Sequence, residues 1–134
     1  FESRGLGDVY KRQGINFATN EIYDAKEDRW RQGRPMPLAQ AGTACVVGKG
    51  SMLVFGGEVF TPEAKVFGNV WRYDINTDLW CAMPGLNIPR HGLAAGRIGD
   101  HVYVFGGATE VGGRGTSDVN ERLFVNEFLL SALS

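Results

Sequence analysis

Charge of one sign is what this 134-residue sequence conspicuously lacks. Fourteen Lys+Arg stand against fifteen Asp+Glu, for a formal net charge of -1. So even a balance offers no cationic footprint to a phosphate backbone, which excludes nucleic acid as a partner. No run approaches the roughly 18 consecutive apolar residues of a helical membrane span. Cysteine is scarce: Cys45 and Cys81 cannot frame a disulfide-rich scaffold. No Asn-x-Ser/Thr acceptor argues for secretion. The two histidines, His91 and His101, show neither H-x-H nor H-E-x-x-H spacing, so this segment alone makes no metal site. Gly112-Gly113-Arg114-Gly115 lacks the following Lys-Ser/Thr of a phosphate loop and reads as a mobile loop.

Glycine is abundant, at 19 residues against 5 prolines. That is too many for a helical bundle and suits short strands joined by tight turns. Ser3–Gln13 (SRGLGDVYKRQ) needs separate treatment. It resembles a translated sequencing adapter, and such segments are set aside before fold reasoning. The alternative is a genuine loop with a short strand at residues 8–10. On the first reading residues 1–13 are non-native and the genuine sequence starts near Gly14. The true N-terminus, with any signal peptide, then lies outside this sequence.

Shifting the chain by fifty residues exposes a repeat. Tyr23 and Asp24 fall on Tyr73 and Asp74, Asp28 on Asp78, and Trp30 on Trp80. Gly42 and Ala44 fall on Gly92 and Ala94. Val54-Phe55-Gly56-Gly57 falls on Val104-Phe105-Gly106-Gly107. The repeated residues are the structurally demanding types. They resemble the kelch repeat, whose marks are a Gly-Gly pair after an apolar strand, then a Tyr and a Trp with six residues between. The resemblance covers about residues 16–125. It implies a β-propeller with one four-stranded blade per repeat.

The residues support the same architecture on their own. Residues 43–47 form a short strand of small and β-branched residues, the glycine-flanked Lys49 marks a turn, and residues 52–55 form the second strand. A loop of about twelve residues follows, with Pro62 and Gly68 in it. Residues 69–73 make the third strand, residues 74–78 an Asp/Asn-rich turn, and residues 79–82 the fourth. The fold class is therefore all-β: a partial kelch β-propeller, with one complete four-stranded blade flanked by two incomplete blades. The expected divisions are 14–38 for the outer strands of a preceding blade, 39–88 for the complete blade, 89–127 for the incomplete following blade and 128–134 for a tail. The run 106–121 is similar to the last repeat of many bacterial kelch proteins, but 128–134 (FLLSALS) lacks the expected Asp-containing turn and Trp strand. Two readings therefore stand: an end of the gene at or near 134, which is favoured, or assembly noise.

In the resemblance, binding surfaces form on one face of the disc. Here the loops concerned are 58–68 and 108–118, with the lead-in segments 38–41 and 88–91. The ligand-binding candidates are Arg90, His91, Gln40, Glu58 and Arg114. Arg90 is the sharpest, because its planar fork suits a carboxylate or phosphate. Its structural alternative is a pair with an acidic residue of a neighbouring blade. Gln40 holds the matching place one repeat earlier, so a charged site would not be uniform around the ring. His91 borders Arg90, and His101 reads as a hairpin residue. Asp24, Asp28, Asp74 and Asp78 recur at the same turn, which favours backbone capping over catalysis. Tyr73 and Trp80 read as packing between sheets. Cys45 and Cys81 fall on opposite edges of one blade, roughly 14 Å apart at about 4.8 Å per strand, too far for a disulfide. Each is expected to pack as a small apolar residue.

No residue is assigned to catalysis, to a metal ion or to a cofactor. The expected function is a protein- or carbohydrate-binding module acting through the loop face. Its partners would be a protein or glycan and the remaining blades of the same chain. The alternative is a segment of a propeller enzyme, because galactose-oxidase-like copper enzymes and sialic-acid mutarotases share this repeat. No copper-ligand position of the former matches a residue here. The unpaired cysteines hint at a reducing compartment, but the sequence leaves the compartment open.

Overall fold

The computed structural model describes residues 16–125, and every described strand is short. Strand β1 (Asn20–Asp24) pairs with β2 (Arg29–Gly33) as an isolated antiparallel hairpin. A four-stranded antiparallel sheet follows, built from β3 (Ala44–Gly48), β4 (Ser51–Phe55), β7 (Val70–Asp74) and β8 (Leu79–Met83) in that spatial order. A third sheet joins β9 (Ala94–Ile98), β10 (His101–Phe105) and β11 (Asn120–Phe124). One complete blade thus sits between the outer half of one blade and the inner three strands of another. This is the architecture expected from the repeat. The adapter-like segment 3–13 and the tail 128–134 lie outside the described residues.

One strand pair was not foreseen. The loop after β4 carries β5 (Glu58–Val59) and β6 (Lys65–Val66), paired through Glu58 with Val66 and Val59 with Lys65. Two residues per strand are too few to leave an alternation pattern in sequence.

The outer hairpins are built alike. Asp74 Oδ1 accepts the N–H groups of Asn76 (2.9 Å) and Thr77 (3.0 Å). Asp24 Oδ1 does the same for Lys26 (2.9 Å) and Glu27 (3.2 Å). Asp78 and Asp28 take left-handed backbone, at φ 56° and 49°, a conformation Asp tolerates. Tyr73 donates its hydroxyl to Asp78 at 2.8 Å, and its ring lies 4.8 Å from Trp80. Asp24 and Asp74 are turn caps, as their repetition implied, whereas Asp28 and Asp78 accept the Tyr23 and Tyr73 hydroxyls, and Asp78 also accepts the Arg34 N–H from the preceding blade.

The core lies between blades. Val46, Leu53, Phe55 and Val70 from one face of the complete blade meet Leu93, Val102, Val104 and Val125 of the next. The far face of the last sheet leaves Ile98 74% and Phe124 53% exposed. Cys45 and Cys81 sit on β3 and β8, the two edge strands of one sheet, and both are free thiols. Cys81 is half-buried, but Cys45 is exposed, against the expectation that it packs as a core residue. It alternates with buried Val46, so it points away from the core between blades.

Candidate functional site

The loop face is assembled by backbone pairing between each lead-in segment and the loop of its own blade. Ala41 and Glu58 exchange two bonds, of 3.0 and 2.8 Å. Fifty residues on, His91 and Ala108 exchange two of 3.0 and 2.9 Å. Between blades, Gly57 N–H donates to Arg90 O at 2.9 Å and Gly92 N–H to Gly42 O at 2.7 Å. Gly56 makes that approach possible: at φ 61°, a Cβ there would stand 2.2 Å from Arg90 O. Only glycine meets both demands.

Arg90 is 0% exposed. Its Nη1 donates to Gly106 O (2.8 Å) and Val119 O (2.9 Å). Its Nη2 donates to Glu121 Oε2 (2.9 Å) and, at 3.5 Å, to Val104 O. Its Nε donates to Ile88 O at 3.3 Å. Five acceptors face the five guanidinium N–H groups, so the fork is spent inside the protein. The acidic partner belongs to Arg90's own blade and not to a neighbour. Burial pushes the Glu121 carboxyl up, but the Asn87 N–H, Arg90 and the Ile88 N–H outweigh it and hold the group below the usual glutamate range.

Gln40 plays the same role in the preceding repeat. Its Nε2 donates to Gly56 O at 2.9 Å, and its Oε1 accepts from Trp71 Nε1 at 2.8 Å. Trp71 and Glu121 are themselves fifty positions apart. Each blade therefore ties its lead-in segment to its Gly-Gly carbonyl and its third strand, once with a neutral pair and once with an ion pair. Sequence reasoning missed Trp71 and Glu121. The signal was present in the repeat alignment, where a Gln/Trp combination changes to Arg/Glu at the same two places.

His91 and Glu58 come together across the blade boundary. The His91 Nδ1 lies 3.2 Å from Glu58 Oε1, and the pair is largely buried. His91 Nε2 lies 2.7 Å from the Glu110 carbonyl oxygen. Glu58 Oε2 accepts the Gly112 N–H at 2.8 Å. Asn16 Nδ2 donates to the Glu58 carbonyl at 2.6 Å. Arg114 is exposed at the tip of the loop around these groups. Of the five candidates the structure joins Glu58 with His91, engages Gln40 and Arg90 internally, and leaves Arg114 at the surface.

A cleft of about 550 Å³ runs along this face between the β5–β6 hairpin and the 109–111 segment. Lys65 and Val66 line one side, Ile88 and Pro89 the floor, and Glu110 and Val111 the other side. It is open, amphipathic and flanked by one charge of each sign. No three His, Cys, Asp or Glu side chains among the described residues gather as metal ligands. No helix among them is long and apolar enough to cross a membrane.

Residues 41–87, the complete blade with its lead-in, match the protein family described as Kelch motif. The chain carries kelch repeats. It is 34% identical over 91 residues to zebrafish (Danio rerio) Kelch repeat and BTB domain-containing protein 8, covering 66% of this chain and 14% of that one. It is 28% identical over 99 residues to alpha-scruin of Limulus polyphemus, covering 71% and 11%. An Arabidopsis thaliana F-box/kelch-repeat protein matches at 30% over 89 residues, covering 65% and 24%. The kelch chain described here thus spans at most a quarter of the length of these relatives.

Proposed function

We propose that these kelch blades form a protein-interaction module that docks a partner on the loop face. The observation that carries this reading is the cleft between the β5–β6 hairpin and the 109–111 segment. Its side chains stand on loops that the lead-in pairing, Gln40, Arg90 and the His91–Glu58 contact hold in place. Loops fixed on a rigid scaffold are where recognition residues are carried most economically. Relatives whose names join kelch repeats to BTB or F-box domains support a protein partner. Gln40, Glu58, Arg90 and His91 shape the face from inside, and Arg114 with Lys65 reaches outward to the partner.

The test uses the complete natural protein. A Lys65→Glu/Arg114→Glu variant should keep the wild-type melting temperature and lose the protein partners found by quantitative cross-linking. Identical cross-linked partners in both would sink the reading. Binding on a glycan array, or turnover of a sugar alcohol or sialic acid, would replace it with the carbohydrate or enzyme reading.

A further inference from the structure

We infer that Glu58 and His91 position the 110–112 segment as a recognition wall and fix Val111 in the cleft. Two bonds straddle that residue. Glu58 Oε2 accepts the Gly112 N–H at 2.8 Å, across the blade boundary. His91 Nε2 lies 2.7 Å from the Glu110 carbonyl oxygen, a bond that a neutral imidazole makes. Val111 stands between the two ties and lines the cleft.

The blade framework needs neither side chain. Fifty residues after Glu58 stands Ala108, and fifty before His91 stands Ala41. Yet Ala41 pairs with Glu58, and Ala108 with His91, through the same two backbone bonds. That ladder is complete with alanine at either place. Burying a carboxylate or an imidazole is unfavourable unless it finds partners. Both side chains are largely buried here, and each reaches the loop. The receiving group is specific too. Gly112 offers an N–H where the matching residue of the preceding loop is Pro62, which has none.

The loop depends on such ties. Gly112, Gly113 and Gly115 give it little conformational preference of its own. Gly112 takes φ 81° with nothing within 4 Å of a Cβ, so glycine there serves the turn and not a close approach. Thr109 N–H donates to Gly115 O at 2.9 Å, which closes the loop ends on each other. The 110–112 side is left to Glu58 and His91. A wall fixed before the partner arrives removes an ordering cost from binding. Its part in recognition rests on the docking reading, whereas the positioning itself does not.

Hydrogen exchange of the complete natural protein, resolved to single amides by fragmentation mass spectrometry, tests the positioning. Glu58→Ala should speed exchange at Gly112 about thirtyfold, as expected for losing a charge-assisted bond, with β3 and β10 unchanged. Glu58→Gln keeps an acceptor oxygen at the same reach and should stay within about fivefold of wild type. A Gly112 rate unmoved by alanine, or moved equally by alanine and glutamine, would overturn the proposal. If Glu58→Ala does not fold, the wild type decides. Gly112 should then exchange at least about tenfold more slowly than Gly113, whose N–H meets no acceptor among the described residues, and equal rates overturn the proposal. Quantitative cross-linking tests the recognition role. Partners lost in Glu58→Ala and in Lys65→Glu/Arg114→Glu, but kept in Glu58→Gln, support it. Partners kept in Glu58→Ala and lost in the charge variant overturn it while the docking reading stands. Partners kept in every variant end the docking reading and the recognition role together, and the exchange rates alone then judge the positioning.

Discussion

Arg90 meets Glu121 at 2.9 Å in the same two repeat positions where Gln40 meets Trp71 at 2.8 Å. The latch is shared and its chemistry is not. One pair is neutral, with Trp71 as donor and Gln40 as acceptor. The other is ionic, with the donor on the opposite side. What the repeat preserves is a bond between the lead-in segment and the third strand, along with a bond to the Gly-Gly carbonyl.

The two latches should differ in coupling strength. An Arg90→Ala/Glu121→Ala double-mutant cycle, read by denaturant unfolding, is expected to give a coupling of about 2–3 kcal/mol, because removing one partner strands a buried charge. The Gln40→Ala/Trp71→Ala cycle should give about 1 kcal/mol. Equal couplings would show that charge adds nothing at this site.

Gly56 and Gly99 separate close approach from backbone conformation. Both have positive φ, 61° and 57°. A Cβ on Gly56 would meet Arg90 O at 2.2 Å, whereas a Cβ on Gly99 would meet nothing within 4 Å. Gly99→Ala is expected to cost about 1–2 kcal/mol, the left-handed penalty alone. Gly56→Ala should cost several kcal/mol, because the blade boundary must also open. Thermal melts of the two variants make the comparison, and similar losses would contradict the contact argument.

Acid should loosen the turn and the ionic latch together. The Thr77 N–H holds the Asp74 carboxyl below its usual range despite partial desolvation. Glu121 is held low in spite of burial by Asn87, Arg90 and Ile88. A carboxyl depressed on folding contributes stability that is fully present above its unfolded pKa and is lost as the pH falls through the folded one. Stability should therefore be level near neutrality and decline below about pH 4. In Glu121→Gln the decline should be shallower. An acid limb identical to the wild type would show that Glu121 does not contribute to it.

Residues 16–125 expressed alone should not fold cooperatively. Trp30 is 67% exposed, Ile98 74%, Val47 66% and Phe124 53%, spread over the faces that further blades would cover. A blade that packs both faces on neighbours loses much of its apolar burial when they are missing. Binding of a hydrophobic dye and a broad melt are expected. A sharp two-state melt from a monomer would refute this.

Much of the fold was legible because propeller blades repeat local rules. Gly56-Gly57, Tyr73, Asp74, Asp78 and Trp80 declare a strand end, a hairpin turn and a ring pair within a few residues of one another, and the same types recur fifty positions earlier or later. The β5–β6 pair was not legible, since two residues cannot show a period. The roles of Arg90 and Gln40 were not legible either. A side chain two residues before a glycine can face a ligand or its own sheet, and local sequence does not distinguish these.

The sequence by itself determined the period, the strands, the turn caps and the all-β class, because each rests on contacts between residues close in the chain. Only the tertiary structure decided what the polar residues of the loop face do. Arg90 finds Glu121 across 31 positions and His91 meets Glu58 across 33. Those distances are set by how two twisted sheets pack against each other. Whether a buried charge faces a partner or an opening follows from that packing and from nothing nearer in the sequence.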